Sequence, residues 1–206
     1  MEYLEYSQDK FNADYYGNKA RGGFGKEIFW NTLEQQNELE TKFRVINDLG
    51  YFNSILFIGC AFGNEVRYFR ERGKQATGVE ISEYAVNTVD KSVKNFVKLY
   101  NGWELQDYKD NSVDIVASFD VLTLIPDDML NKLVKEMCRV SSSGIVIRTS
   151  VDIKNYENKW VGVDGVTFKV LPVAYWIKLF SNENFIIKND KIDSKSQVTF
   201  LFIKGE

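Results

Sequence analysis

The chain of 206 residues contains no histidine. That absence excludes an imidazole general base, a Ser-His or Cys-His nucleophile pair and nearly every transition-metal site, because the remaining side chains rarely assemble such ligand sets alone. Only two cysteines occur, Cys60 and Cys138, far too few for a disulfide framework, and a reducing compartment is the expectation. No stretch approaches the roughly 18 uninterrupted apolar residues of a membrane span. The acidic start Met1-Glu2-Tyr3-Leu4-Glu5 has none of the marks of a secretory leader, so a cytoplasmic protein without membrane contact is expected. Clustered positive charge is also missing. A net charge of −3 argues against a broad nucleic-acid footprint, which needs a basic surface to neutralise phosphates.

What is present is 44% apolar and 15% aromatic, enough to bury a core within one domain. There is no internal repeat and no low-complexity tract. Residues 1–50 read as an N-terminal lid and helix, 51–150 as a core, and 151–206 as a loop followed by a C-terminal hairpin. In the first segment Lys10, Lys19, Arg21 and Lys26 alternate with Phe11, Tyr15, Tyr16 and Phe24. This is the pattern of a lid with solvated charges, or else of a patch that stacks and neutralises a substrate.

The most informative stretch is Ile55-Leu56-Phe57-Ile58-Gly59-Cys60-Ala61-Phe62-Gly63-Asn64-Glu65, followed by Thr77-Gly78-Val79-Glu80-Ile81-Ser82. An apolar strand enters a small-residue loop, a helix leaves it, and a second strand ends on a carboxylate. Glycines allow close backbone approach, the helix start offers unpaired N–H groups, and Glu80 is placed to accept both hydrogen bonds of a ribose diol. The loop lacks the G-x-G-x-x-G of dinucleotide sites and the G-x-x-x-x-G-K-[ST] of phosphate loops.

Gly59-Cys60-Ala61-Phe62-Gly63 resembles the glycine loop of the class I S-adenosylmethionine-dependent methyltransferases. Asp110 to Val116 is similar to that family's fourth-strand entry, Val121 to Asp127 to its post-strand segment, and Cys138-Arg139-Val140 through Ile147 to its arginine-valine, turn and fifth-strand signature. The resemblance covers about residues 54–150. It implies an α/β fold, a Rossmann-like doubly wound sheet of seven mostly parallel strands with an antiparallel last strand and helices on both faces.

Periodicity predicts a helix from Lys26 to about Asp48, a first strand Ser54–Ile58, a helix Gly63–Arg72, a second strand Gln75–Val79 and a helix Glu83–Lys98 carrying Val86, Val89, Val93, Phe96 and Val97 on one stripe. A strand Val113–Ser118, a helix capped by Asp127, a strand Gly144–Arg148, a polar loop through Trp160, a helix opened by Pro172 and a terminal pair Phe185–Lys188 and Val198–Ile203 follow.

By the same resemblance, Gly59, Cys60, Ala61 and Gly63 line the methionine and ribose side of S-adenosyl-L-methionine, Glu80 holds the ribose, and Ile81 flanks adenine. Trp103 and Glu104 fall where the family contacts the adenine ring and its amine, and Ser118 and Phe119 face the sulfonium; S-adenosyl-L-homocysteine is the product and no metal takes part. Tyr15, Tyr16, Arg21 and Trp160 are candidate substrate residues, within walls that include Asp152 to Trp160. Tyr16, Asp120 and Asp152 are candidate proton acceptors. The chain departs from the family at three places: Phe57 stands for an acidic residue, Ala61 for the central glycine, and Thr123-Leu124 for an acidic-histidine pair. Alanine is acceptable in the loop wherever φ stays negative. Arg21 or Lys26 is a candidate anchor for the cofactor carboxylate. The expected activity is methyl transfer to a small hydroxyl, amine or carbohydrate-like acceptor. The alternatives are a non-catalytic binding or partner subunit and an RNA or protein methyltransferase.

Overall fold

A computed structural model describes residues 11–17, 32–152, 158–161, 167–194 and 197–205 of the chain. A short helix α1 (Ala13–Gly17) precedes α2 (Leu33–Asn47), which starts where Thr32 Oγ1 accepts the Gln35 N–H at 3.2 Å. Strand β1 (Ser54–Ile58) leads into α3 (Asn64–Glu71), β2 (Gln75–Glu80), α4 (Glu83–Thr88) and β3 (Val97–Leu99). Then come β4 (Val113–Phe119), α5 (Asp127–Val140), β5 (Ser141–Asp152), β6 (Asn158–Val161), β7 (Thr167–Pro172), α6 (Val173–Ser181), β8 (Phe185–Ser194) and β9 (Gln197–Lys204).

Strands β3, β2, β1, β4 and β5 lie side by side in that order and run parallel. The last strand, β9, is antiparallel to β5 and carries β8 on its far side, which completes a seven-stranded doubly wound sheet. Strand β9 therefore lies inside the sheet and β8 forms its edge. The β6–β7 hairpin is an addition, attached where Val151 and Asp152 at the end of β5 pair with Leu171 and Pro172.

Alternation within the strands feeds both faces. Ile55 and Phe57 point to one side and pack with Leu39, Ile46, Val66 and Phe69 of α2 and α3. Leu56 and Ile58 point to the other and join Leu130, Leu133, Met137, Trp176 and Phe180 of α5 and α6. Burial on both faces is why the strands read as continuous apolar runs rather than alternating ones. Among the described residues no helix is long and apolar enough to cross a membrane.

Several boundaries differ from the sequence expectation. The helix expected over Glu83–Lys98 ends at Thr88, because Val89 leaves the helical region at ψ 137° and Asp90 folds its carboxylate onto the Ser92 N–H at 2.8 Å. Val89, Val93 and Val97 are buried all the same, so the stripe was real but a turn, a 3-10 turn and β3 carry it. The N-cap of α5 is Pro126; Asp127 is the first helical residue and its carboxylate pairs with Lys169. Strand β5 begins at Ser141 with no turn after α5, and the polar loop expected through Trp160 contains β6.

Candidate active site

The C-terminal ends of β1, β2, β4 and β5 open onto a cavity of about 350 Å³, roofed by α1 and walled on one side by α2. Its floor is the loop after β1. Gly59 takes φ +69°, and a Cβ there would stand 2.4 Å from Val121 Cγ2, so only glycine fits between β1 and the segment after β4. Ala61 takes φ +45°. The expectation that alanine is tolerated at negative φ is thereby corrected: the side chain sits in the left-handed region, at a cost of about 1–2 kcal/mol.

Glu80, at the end of β2, is 4% exposed and turned toward this loop. Its Oε2 accepts the Ala61 N–H at 2.7 Å and its Oε1 the Ser82 N–H at 2.9 Å. Tyr16 lines the same cavity beside it. Burial pushes the Glu80 pKa up against the pull of these donors. Burial, followed by the charge of Glu80, raises the Tyr16 pKa strongly.

The opposite wall is charged. Lys42 of α2 is 6% exposed, with Nζ 2.6 Å from Glu65 Oε1 and 2.9 Å from Glu38 Oε1. Desolvation lowers its pKa, but the two carboxylates outweigh burial and the net shift is upward. Arg148 of β5 places Nη2 2.9 Å from Glu38 Oε1 and Nε 2.8 Å from Asp120 Oδ2. Asp120 Oδ1 accepts from Gln197 Nε2 at 3.1 Å, so both oxygens of this candidate base are engaged. Asp120 holds φ +61°, a conformation stabilised by its backbone N–H on the Arg148 carbonyl at 2.9 Å. Between the two cations lies the Phe119 ring, 4.8 Å from Lys42 Nζ and 5.6 Å from the Arg148 guanidinium carbon.

Of the residues singled out from sequence, Gly59, Cys60, Ala61, Glu80, Ile81, Phe119, Tyr15, Tyr16 and Asp120 line this one cavity. Gly63 caps α3 beneath it with φ +73°. Ser118 is buried and donates to the Ile58 carbonyl at 3.3 Å, away from the lining. Trp103 and Glu104 are also outside it. Trp103 packs against the α5–α6 core, Glu104 accepts from Asn101 Nδ2 at 2.8 Å at the surface, and Tyr100 supplies the cavity wall at the end of β3. The Cys60 thiol is buried against Gly78, and burial holds its pKa well above the ordinary value, which suits packing rather than nucleophilic attack. Arg21 and Lys26 and the side chains of Asp152 and Trp160 lie outside the described residues.

Sequence reasoning missed Glu38, Lys42, Glu65, Arg148 and Gln197. The signal for two of them was present: Glu38 and Lys42 are four apart on the strand-facing side of a helix whose buried positions are otherwise apolar. Arg148 closes the apolar run Ile145-Val146-Ile147 and needs its distant partners Asp120 and Glu38 to acquire meaning.

Residues 56–147 match a family model described as a methyltransferase domain. No curated protein matches the chain. Solved structures share its fold. PH0226 protein from Pyrococcus horikoshii OT3 is similar at TM-score 0.71 with 15% identity, over 93% of this chain and 95% of that one. Burkholderia thailandensis 1,6-didemethyltoxoflavin-N1-methyltransferase, solved with bound 1,6-didemethyltoxoflavin and S-adenosylhomocysteine, is similar at TM-score 0.67 with 10% identity, over 91% and 85%. The [4+2]-cyclase SpnF is similar at TM-score 0.70 with 13% identity, over 91% and 90%.

Proposed function

We propose that the chain is a class I S-adenosylmethionine-dependent methyltransferase, a reading supported by the methyltransferase-domain match over residues 56–147 and the shared fold, and that it transfers a methyl group from S-adenosyl-L-methionine to a small-molecule acceptor. One observation carries the reading: the Glu80 carboxylate is buried, aimed into a cavity of about 350 Å³ and tied to the glycine loop. That volume lies in the range of small-molecule sites, roughly 300–1,000 Å³. Phe57, which replaces the family's acidic residue, does not close the loop; its ring packs 5.0 Å from Phe69 inside the core. The Phe62 ring lines the cavity without filling it.

The cofactor supplies an activated methyl on a sulfonium, so the protein's work is binding, orientation and exclusion of water. In this assignment Glu80 accepts from the ribose hydroxyls and Ile81 flanks the adenine. Lys42 or Arg148 would meet the methionine carboxylate, and Glu38 and Glu65, both held by Lys42 in the cavity wall, would serve its ammonium. Phe119, at the end of β4, would line the sulfonium side of the site. Val121, Leu124, Arg148 and Gln197 border the space left for an acceptor hydroxyl or amine.

Titration calorimetry with S-adenosylmethionine and S-adenosylhomocysteine tests the assignment. Micromolar binding that Glu80→Ala abolishes supports it, and no heat with the wild-type chain overturns it. A second reading, a binding module without transferase activity, draws on Leu124, an apolar side chain in the wall where the family often places histidine. Tight cofactor binding with no methyl transfer to any acceptor would favour that alternative.

A further inference from the structure

Charged side chains along one wall of the cavity form a single chain of ion pairs. Glu65 Oε1 lies 2.6 Å from Lys42 Nζ, and Lys42 Nζ lies 2.9 Å from Glu38 Oε1. The same Glu38 oxygen accepts from Arg148 Nη2 at 2.9 Å, and Arg148 Nε donates to Asp120 Oδ2 at 2.8 Å. Acid and base alternate, so that a carboxylate stands at both ends and each cation is flanked by acids on either side. Burial pushes the Glu38 pKa up, but Lys42 and Arg148 outweigh it and hold the carboxyl below its ordinary range. Three carboxylates against two cations leave the wall one formal negative charge in excess. Glu80 on the floor adds a further carboxylate, and among the described residues no other charged side chain lines the cavity.

S-adenosylmethionine and its product differ by one unit of positive charge. Methyl transfer breaks the bond between sulfur and the methyl carbon and leaves the electron pair on sulfur, so the sulfonium becomes a neutral thioether. The methyl bonds to the acceptor oxygen or nitrogen, and the positive charge leaves with the proton that this atom then releases to water. We propose that the odd ion-pair chain, ending in Glu65 and Asp120, makes the cavity select S-adenosylmethionine over S-adenosylhomocysteine, so that affinity falls as the sulfur loses its charge. Charges in a cavity sheltered from water attract at an effective dielectric well below that of bulk water and are less screened by salt than exposed ones. Both cations of the wall are already shared between carboxylates, which leaves neither as a net repulsion against the sulfonium. This selectivity rests on the cofactor assignment made above and adds a discrimination between the two forms of the cofactor at that same site.

The test measures both ligands by titration calorimetry on the wild-type chain, on Asp120→Asn and on Gln197→Lys. S-adenosylmethionine should bind the wild-type chain about tenfold more tightly than S-adenosylhomocysteine, the order expected of one excess unit charge at intermediate dielectric. Raising the salt from about 50 mM to about 500 mM should narrow that ratio by screening. Asp120→Asn removes a terminal charge at nearly constant size, and asparagine accepts the left-handed backbone of that position at φ +61°. Gln197→Lys keeps the Asp120–Arg148 pair and sets a cation where Gln197 Nε2 meets Asp120 Oδ1 at 3.1 Å, which guards against a folding defect in the first variant. Each should weaken S-adenosylmethionine severalfold, leave S-adenosylhomocysteine nearly unchanged and bring the two affinities toward parity. A purely structural role would weaken both ligands alike. An analogue with a protonated amine in place of the sulfonium should follow S-adenosylmethionine, which separates charge from contact with the methyl group. Product binding as tight as that of S-adenosylmethionine, or variants that lower both affinities in step, overturns the proposal. Should neither ligand give heat with the wild-type chain, the cofactor assignment itself fails, and the two failures are therefore distinct.

Discussion

Glu80 and Ala61 are joined at 2.7 Å by a bond from backbone to carboxylate across the floor of the cavity, and Ala61 makes it with a left-handed backbone at φ +45°. The hydrogen bond offsets a conformation that an alanine Cβ disfavours by about 1–2 kcal/mol. Ala61→Gly removes the strain but adds unfolded-chain freedom worth roughly 0.4–1 kcal/mol. A net gain of up to about 1 kcal/mol is expected, read as a higher urea midpoint with an unchanged slope. A lower midpoint would show that Ala61 is not strained.

Lys42 is the charge that makes the α2 wall of the cavity possible. Removing it leaves Glu65 and Glu38 facing each other without their shared cation at 2.6 and 2.9 Å. Breaking a buried pair costs about 3–5 kcal/mol, whereas removing both partners costs much less. Lys42→Met should therefore lose about 3 kcal/mol or more in chemical denaturation, and Lys42→Met/Glu65→Gln should recover a substantial part. Additive losses in that double-mutant cycle would mean the two side chains are not coupled.

Acid should act through Asp114. Its Oδ2 accepts the N–H groups of Asn53 at 2.7 Å and Ser54 at 2.9 Å, fixing the entry to β1. Burial pushes its pKa up, but these N–H donors and the Ser54 hydroxyl outweigh burial and hold the carboxyl below its ordinary value. A folded pKa below the unfolded one gives stability that is fully present above about pH 4, the ordinary aspartate range, and is lost as pH falls through the folded value. Asp114→Asn should flatten that acid limb in a series of thermal melts. An unchanged limb would assign the acid sensitivity to other groups.

The parts of this protein that were legible from sequence are those governed by local chemistry. Gly59, Gly63 and Glu80 follow from what a tight strand-to-helix loop and a carboxylate at the end of the next strand demand of neighbouring residues, and the apolar runs of β1, β4 and β5 announce strands covered on both faces. Legibility failed where one element depends on another far away. Val89, Val93 and Val97 keep helical spacing while the chain turns at Asp90, because what fixes them is contact with the start of α3, where a Cβ on Gly63 would meet Val97 Cγ2 at 3.0 Å. Lys42, Glu65, Arg148 and Asp120 are scattered over more than a hundred residues, and each looks like an ordinary surface charge until the sheet brings them to one rim. Tyr100, directly after the three-residue β3, lines the cavity where Trp103 was expected.

Gly78 is the hidden counterpart of the glycine loop. It pairs with Phe57 across β1 and β2, and a Cβ there would stand 2.5 Å from Cys60 Sγ, 2.9 Å from Cys60 Cβ and 2.9 Å from Val66 Cγ2. None of these atoms can retreat freely, since Cys60 and Val66 are themselves buried. Gly78→Ala should cost about 1–3 kcal/mol by overpacking. The easiest relief is movement of Cys60 toward the cavity, so S-adenosylhomocysteine binding should weaken together with stability. Adding Cys60→Ala removes the sulfur at 2.5 Å but keeps the Cβ at 2.9 Å, so Cys60→Ala/Gly78→Ala should regain part of the loss in both denaturation and calorimetry. If the double variant is no better than Gly78→Ala alone, the pressure comes from Val66 and the α3 side, and Cys60 has no part in shaping the loop.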